Sequence, residues 1–343
     1  MTDHGTTPPD VPNASTDTTD GITVVSGGVG AARFLSGLLD AVDPSRVTAV
    51  VNTGDDTTLH GLSISPDLDT ITYTLADATD PVRGWGLRDE TWTAMAALER
   101  YERVRPDGSA AATRWFNLGD RDLATHFYRT QRLAEGATLT QVTAEIVEAW
   151  GLPLRLVPMS DGRVSTIVST ETDGDVAFQD YFVRLRHGVP VTGVRFDGEG
   201  RLTDQARSAL VDAGTVVIAP SNPLVSIAPI RSLDGVDEVL AARRDTVVAV
   251  SPIVGGDAIK GPAARMLTEL GHEATVVGVA RLYAPIASVL VIDPVDADLA
   301  DAVEAAGMRC VVTPSIMSTP DIARELAHAT IDAVAGQSVS DTD

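Results

Sequence analysis

Short apolar runs that end abruptly in polar residues, glycine or proline recur along this chain. Runs of about five residues, rich in Val and Ile, occupy positions 22–25, 47–51, 215–219, 246–250 and 288–292. Most of them are followed by apolar residues at helical spacing. Because both faces of such runs are apolar, the strands they predict must be covered on both sides, which is typical of a parallel sheet. The sequence therefore predicts an α/β fold with a Rossmann-like, doubly wound and mostly parallel sheet.

The segment between the second and third of these runs has a different pattern. From about 67 to 150 the apolar spacing is helical, and Thr138 begins a Thr-Leu-Thr-Gln sequence typical of a helix N-terminus. Alternating strand patterns return at 165–170 and 191–196. We interpret about 67–150 as a helical insertion.

The two ends of the chain differ from its body in composition. Residues 1–20 and 337–343 are polar and contain no Lys or Arg, and we predict that both are disordered tails. The body, residues 21–336, is predicted to be a single α/β catalytic domain that contains the insertion.

The charge balance is strongly acidic. Lys and Arg number 26 against 48 Asp and Glu, a formal net charge of −22, which argues against binding to nucleic acid or to an anionic membrane surface. A solvated acidic surface and adaptation to high salt both explain this charge. Since Lys260 is the only lysine, a bound polyphosphate would depend on backbone N–H groups, arginines and metal ions.

Cysteine content and hydropathy constrain the class of protein further. Cys310 is the only cysteine, so an internal disulfide and a cysteine-based zinc site are excluded, and we interpret it as a core residue. No apolar run approaches the ~20 residues of a membrane span, and the N-terminus has no signal-peptide pattern. We expect a cytoplasmic protein.

A glycine-rich turn follows the first predicted strand. Gly27, Gly28 and Gly30 allow a ligand to approach the backbone and direct N–H groups at a helix start, where they favour an anion. The dinucleotide-binding fingerprint G-x-G-x-x-G would have its last glycine at position 33, and this sequence has Arg33 there. A cation in the first helical turn is unfavourable for the helix dipole, so Arg33 indicates an anionic partner nearby. An ordinary tight turn between strand and helix is the alternative.

Acidic residues gather after the second predicted strand. Asp55 and Asp56 end the strand, and Asp67 and Asp69 follow at a predicted helix start. Carboxylates are suitable ligands for Mg²⁺, which would also supply positive charge for a phosphate. Simple capping of the helix by Asp67 or Asp69 is the alternative.

Two segments combine aromatic residues with glycine and charged residues. Residues 115–126 include Asn117 and an Asp-Arg-Asp sequence, and residues 83–86 read Arg-Gly-Trp-Gly. The pattern at 115–126 is compatible with two interpretations. One is a platform for a planar ligand, and the other is a capped helix with an exposed ion pair. The glycines around the tryptophan indicate a loop that stacks on a flat group.

Polar residues also end two of the later strands. Ser221 and Asn222 lie between two prolines, and Asn222 can donate and accept hydrogen bonds to a nucleobase or a phosphate. Gly256 follows the next strand and permits close approach of a ligand. Ordinary strand-to-helix turns are the alternative.

Together these segments resemble the 2-phospho-L-lactate transferase family of coenzyme F420 biosynthesis. The resemblance covers about 22–336 and depends on a series of motifs in one order. They are Gly27-Gly28-Val29-Gly30, 52–56, 65–70, 118–126, 158–161, 178–180, 219–223, 226–230 and 251–254. Residues 29–34, with Trp85 and Trp115, are more similar to the bacterial branch, which is associated with an enolpyruvyl donor.

The resemblance implies a reaction between two small molecules and a requirement for Mg²⁺. The terminal ribityl hydroxyl of the deazaflavin Fo attacks the phosphorus next to a three-carbon acid in a guanosine diphospho donor, and GMP leaves. The acid is enolpyruvate or lactate, and the resemblance leaves this choice open. It also implies a homodimer.

The resemblance also implies roles for individual residues. Asp55 and Asp69 would bind Mg²⁺ and act in catalysis, with Asp56 and Asp67 as further candidates, and one of these carboxylates would accept the hydroxyl proton. Asp69 and Asn117 would contact Fo. Asn117 replaces a lysine that is common in the family, so no charge contact is expected there.

The guanosine side of the site would involve three further residues, Ser221, Asn222 and Gly256.

Two other functions are compatible with parts of the sequence. A regulatory protein that binds a nucleotide sugar without turnover would share the glycine-rich start and the α/β core. A nicotinamide-dependent dehydrogenase would use Asp55 as the acid after the second strand, but its glycine pattern differs from this one.

Overall fold

The computed structural model describes residues 21–113, 115–258 and 261–335. The predicted tails, 1–20 and 337–343, and the single lysine, Lys260, lie outside these residues. No helix within the described ranges is both long and apolar enough to cross a membrane.

The strands form one large sheet and three small ones. The described residues contain fourteen strands: β1 (Ile22–Ser26), β2 (Val47–Val51), β3 (Thr57–Leu59), β4 (Leu62–Ile64), β5 (Arg155–Pro158), β6 (Val164–Thr170), β7 (Gly174–Ala177), β8 (Val191–Gly198), β9 (Thr215–Ile218), β10 (Val247–Val250), β11 (Ile253–Val254), β12 (Asp257–Ala258), β13 (Val289–Ile292) and β14 (Arg309–Val312). The large sheet has seven strands in the order β14-β13-β10-β9-β1-β2-β5, and all of its pairs are parallel.

Helices connect and cover these strands. The same described ranges contain twelve α-helices: α1 (Gly28–Ala41), α2 (Pro66–Leu75), α3 (Thr93–Glu102), α4 (Asp122–Ala134), α5 (Leu139–Ala149), α6 (Asp204–Asp212), α7 (Ala228–Arg231), α8 (Val236–Ala242), α9 (Ala263–Glu269), α10 (Val276–Tyr283), α11 (Ala300–Ala305) and α12 (Pro320–Ala335). Residues of α1, α5 and α12 share one hydrophobic core with the sheet, and residues of α6, α8, α10 and α11 share another. Alternate residues of β1 enter the two cores, as Val24 and Val25 show. The predicted doubly wound α/β fold is thus confirmed.

The strand order places a topological switch point between β1 and β9. From β1 the chain proceeds to β2 and β5 on one side, and the remaining strands extend the sheet from β9 on the other side. Ligands of open parallel sheets bind beside such a point, outside the carboxyl ends of the strands. The glycine turn after β1 and the Pro220–Pro223 turn after β9 both lie there.

The helical segment contains α2 to α5, as its sequence pattern predicts, and Thr138 forms a full capping box with Gln141. The strands predicted near 165–170 and 191–196 are present as β6 and β8. They form a separate antiparallel sheet in which β6 is the central strand and pairs with both β7 and β8. The interpretation of Cys310 as a core residue needs correction. Cys310 is half-buried and packs at the margin of a core, because β14 is an edge strand.

Candidate active site

A cavity of about 780 Å³ opens at the switch point. Three parts of the chain form its walls. The first wall is the glycine turn together with the ends of β9, β10 and β14, which we call the sheet wall. The second, the helical wall, comes from α2, the loop before α3 and the start of α4. The third, the aromatic wall, contains Phe178, Gln179, Phe182 and Val183.

Most of the predicted site residues line this cavity. They are Gly27, Gly28, Gly30, Arg33, Asp55, Asp67, Asp69, Asn117, Ser221 and Asn222. Asp56 and Gly256 are not among the described lining residues. Asp56 lies behind the wall, where its Oδ2 accepts a hydrogen bond of 2.7 Å from Ser65 Oγ, and Gly256 lies in the turn between β11 and β12.

The glycine turn is packed closely against its surroundings. A Cβ on Gly30 would lie 2.1 Å from the carbonyl oxygen of Pro220, and Gly28 has a φ of +70°. Ser221 Oγ donates to the carbonyl oxygen of Gly27 at 2.7 Å. These contacts explain why the two turns at the switch point need glycine and a small hydroxyl residue.

Asp55 and Asp67 converge on one amide group. Asn52 Nδ2 donates to Asp67 Oδ2 at 2.9 Å and to Asp55 Oδ1 at 3.3 Å. The remaining carboxylate oxygens accept from Gln179 Nε2, at 2.9 Å, and from the Gly28 N–H, at 2.8 Å. Neutral donors thus hold two acidic side chains side by side at the glycine turn.

Burial and mutual repulsion make these acids easier to protonate. Burial raises the pKa of Asp55 well above its ordinary value, and the negative charges of Asp67 and Asp56 add to this effect. Burial also raises the pKa of Asp67 to about 6 and that of Asp56 well above its usual range. A nearby cation would favour their charged forms.

The carboxylates at the glycine turn are suitable ligands for Mg²⁺, but they are too few to complete its coordination without water or substrate. Asp56 Oδ1 is buried and has no hydrogen-bond partner, and the adjacent Asp55 and Asp67 carry the oxygen ligands that Mg²⁺ prefers. Within the described part of the chain, no group of three or more His, Cys, Asp or Glu could hold a metal ion. Since Mg²⁺ usually keeps several waters and binds substrate phosphates, one or two carboxylates suffice.

Asp69 has a different environment from Asp67. Both of its oxygens accept hydrogen bonds from the guanidinium of Arg129, one of them at 3.1 Å from Nη1 to Oδ2. Next to this buried ion pair, His126 Nε2 lies 3.2 Å from Asp122 Oδ2. The Tyr73 hydroxyl donates a hydrogen bond of 2.5 Å to Asp122 Oδ1. These side chains form a buried polar network on the helical wall.

Neither Asp67 nor Asp69 caps α2. The N-cap residue is Ser65, and its side chain makes no capping hydrogen bond. Both acids lie in the first turn, where negative charge is favourable for the helix dipole, but their oxygen atoms contact Gly28, Asn52 and Arg129.

Sequence reasoning did not assign roles to several residues of the site. They are Asn52, Tyr73, Glu90, Arg129 and Gln179. Arg129 had a detectable signal, because Asp122, His126 and Arg129 are spaced i, i+4 and i+7 on α4 and share one face. The roles of Asn52 and Gln179 depend on contacts with Asp55 and Asp67 that local patterns do not show.

A cavity at the switch point of a parallel sheet, with a glycine turn and buried carboxylates, defines a ligand-binding α/β protein. Residues 22–329 match the family model described as 2-phospho-L-lactate transferase CofD. The chain belongs to this family and is a transferase.

Named relatives are similar along nearly the whole chain. A phosphoenolpyruvate transferase from Streptomyces griseus is 40% identical over 317 residues, which cover 91% of this chain and 97% of that protein. A phosphoenolpyruvate transferase from Mycobacterium avium is 38% identical over 334 residues, covering 90% and 97%.

A solved structure shares the fold. The crystal structure of protein BH3568 from Bacillus halodurans has a TM-score of 0.59 and 14% sequence identity, and the match covers 91% of this chain and 99% of that one. At this identity the match supports the fold alone.

Proposed function

We propose that this protein transfers an enolpyruvyl phosphate group from a guanosine diphospho donor to Fo in coenzyme F420 biosynthesis, with 2-phospho-L-lactate as the other donor group to be tested. The observation that carries the proposal is the family membership over residues 22–329, with relatives named phosphoenolpyruvate transferase at about 40% identity.

The proposed reaction exchanges one P–O bond for another. The terminal ribityl oxygen of Fo forms a bond to the phosphorus next to the three-carbon acid. The bond from that phosphorus to the bridging oxygen breaks, and this oxygen leaves with GMP. The hydroxyl proton passes to a carboxylate of the site. Such transfers depend mainly on positioning and on neutralisation of charge.

The sheet wall suits the donor. The N–H groups of the glycine turn at the start of α1 favour phosphate oxygens, and the cavity-lining guanidinium of Arg33 is exposed. Ser221 and Asn222 lie beside the same turn and would contact the guanosine part. The sequence-based assignment of Gly256 to the guanosine stays a prediction.

Asp55 and Asp67 are the side chains that we propose as Mg²⁺ ligands. They adjoin each other and the glycine turn, whereas the oxygens of Asp69 are occupied by Arg129. The resemblance assigned the metal to Asp55 and Asp69, and the ion pair argues for Asp67 in place of Asp69. When bound, Mg²⁺ would neutralise negative charge on the transferred phosphate.

The helical wall suits the acceptor. Asn117 is exposed on this wall, and Asp69 lines the same wall in its ion pair with Arg129. Asp55, whose pKa is raised by burial, is the candidate that we favour for accepting the hydroxyl proton, because the oxygens of Asp69 are paired with Arg129. The resemblance-based assignment of Asp69 to catalysis stays a prediction. The family resemblance also suggests a homodimer, which stays a prediction.

The test is mass spectrometry of the products formed from Fo with each guanosine diphospho donor and Mg²⁺. We expect the phosphodiester product and GMP in equal amounts, with the enolpyruvyl donor preferred. Asp67→Asn should lower turnover at least about a hundredfold, since it removes a ligand of the metal. Asp40→Asn, an exposed acid on α1, is the matched control. Tight binding of a UDP-sugar or of NADH without any Fo product would contradict the proposal.

A further inference from the structure

The loop 79–87 presents one tryptophan to the cavity. Trp85 lines the helical wall and is 47% exposed. The glycines on either side, Gly84 and Gly86, have φ angles of +70° and +67°, a backbone region that favours glycine. The Arg-Gly-Trp-Gly sequence thus forms a turn that projects an indole ring.

The loop is held in one conformation by its own contacts. Thr79 and Leu87 form an antiparallel bridge at its base. Asp80 Oδ1 accepts hydrogen bonds of 2.9 Å from the backbone N–H groups of Val82 and Arg83. Arg83 donates from Nη2 to the carbonyl oxygen of Leu87 at 2.8 Å. A side chain fixed in this way loses little entropy when a ligand binds to it.

Trp85 is in contact with a second tryptophan and with an arginine. The ring of Trp92 lies 5.9 Å from it, centroid to centroid. The guanidinium carbon of Arg83 lies 5.6 Å from the Trp85 ring and 5.4 Å from the Trp92 ring, a cation–π arrangement. These contacts fix the indole and leave part of its apolar surface open to the cavity, as a stacking partner for a flat ring requires.

On the aromatic wall, Phe182 is in contact with two other rings. Phe182 is covered on one side by Phe178, with centroids 5.6 Å apart and planes 18° apart. His187 stacks on it as well, at 5.5 Å and 24°. These two contacts occupy part of the ring surface of Phe182, and it is less exposed than Trp85, 37% against 47%.

Hydrogen bonds connect the segment that follows the Trp85 loop to residues 120–122 at the start of α4. Glu90 accepts from the backbone N–H groups of Arg121 and Asp122, both at 2.8 Å. Asp120 Oδ1 accepts from the N–H of Ala94 at 3.0 Å. Trp85 and Asn117 both line the cavity, on the helical wall and not on the sheet wall proposed for the guanosine donor.

We propose that Trp85 stacks on the tricyclic ring of the deazaflavin acceptor and determines the affinity of the enzyme for it. This inference rests on the proposed function and adds a binding residue that recognises the flat part of Fo, remote from the reacting hydroxyl. Arg83 acts as a positioning residue for the indole.

The experiment compares the full-length protein with Trp85→Leu and Trp85→Phe. Binding of Fo is followed by its fluorescence in the presence of GDP and Mg²⁺, and KM is measured for Fo and for the donor separately. Loss of the stacking face in Trp85→Leu should weaken Fo binding and raise its KM by about tenfold or more. Trp85→Phe should show a smaller loss, and the donor KM should be unchanged.

Tyr101→Leu is the matched control, because Tyr101 is 55% exposed on α3 and is not a cavity-lining residue. It should bind Fo as the wild type does. Fo affinity within about twofold of wild type in both Trp85 variants would overturn the inference, as would a rise in the donor KM alone, which would assign the ring to the nucleobase. If the wild-type protein bound no Fo, the proposed function would fall and this inference with it.

Discussion

Arg129 is the positive charge that compensates the buried acids of the helical wall. It is only 2% exposed and contacts both oxygens of Asp69. Burial raises the pKa of Asp56, and the charge of Arg129 partly offsets that effect. Removing one partner of such a pair leaves an uncompensated buried charge, which costs more than the pair contributes.

We therefore expect Arg129→Met to lower the free energy of unfolding by about 3–5 kcal/mol, measured by urea denaturation. Arg132→Met on the same helix is the control, because the pairs of Arg132 with Glu135 and Glu145 are partly exposed. It should cost much less than Arg129→Met, because solvent screens exposed ion pairs. In the double variant Asp69→Asn/Arg129→Met, the loss should be smaller than the sum of the two single losses. Additive losses would contradict a direct ion pair.

A second expectation at this scale concerns Asp67. Burial raises its pKa from 3.8 to about 6, so between these values the folded protein binds the proton more tightly than the unfolded chain does. The free energy of unfolding must then fall as the pH rises through this window, and the loss is complete above about pH 6.

Asp67→Asn removes this dependence. Relative to wild type, the variant should gain stability on the order of 2 kcal/mol between about pH 4 and pH 7. Urea denaturation of both proteins in EDTA measures the difference, with the exposed Asp40→Asn as control. A difference that stays constant over this pH range would show that Asp67 titrates normally.

At the scale of elements, close packing of α1 against α12 positions two parts of the sheet wall. A Cβ on Gly37 would lie 2.3 Å from the backbone carbon of Ala323. Helix α1 begins in the glycine turn, and α12 follows directly after the cavity-lining residues 315–318. The distance between these helices therefore affects the shape of the cavity.

Gly37→Ala should separate α1 from α12 and lower the free energy of unfolding by about 1–3 kcal/mol, the usual cost of overpacking. It should also raise the KM of the guanosine donor more than that of Fo, because the displaced residues belong to the sheet wall. Ser36→Ala, exposed on the same helix, is the control for helix propensity. Unchanged stability in Gly37→Ala would mean that the helices separate without cost.

At the scale of the whole molecule, charge repulsion opposes folding. The formal net charge is −22, and self-repulsion of this size destabilises a compact state. Salt shortens the range of the repulsion, from about 30 Å at 0.01 M to about 3 Å at 1 M ionic strength.

We expect Tm to rise by several degrees when NaCl is raised from about 0.01 M to about 0.5 M, with EDTA present to exclude effects of divalent metals. A saturating rise at moderate salt would favour the solvated acidic surface. A Tm that keeps rising into molar salt would favour adaptation to a saline environment. A constant Tm would mean that the acidic residues are too far apart or too well paired to repel each other.

The sequence alone determined the local structure and the class of protein. Five of the seven strands of the parallel sheet, the helical character of 67–150 and the Thr138 capping box follow from periodicity and capping, which involve residues a few positions apart. The two edge strands, β5 and β14, were not predicted. The motif order identified the family, which the comparisons confirm. The boundaries of a single catalytic domain at 21–336 stay a prediction.

Only the tertiary structure decided strand order and the pairing of the charged residues. The alternating patterns of β6 and β8 differ from the continuous apolar runs of the main sheet and are typical of antiparallel strands, but nothing local shows which strands they pair with. Asp69 meets Arg129 60 residues along the chain, and Asp55 meets Gln179 124 residues along. Periodicity specifies which face of an element is buried, whereas a hydrogen bond depends on positions within a few tenths of an ångström, which are set by the packing of all the elements together.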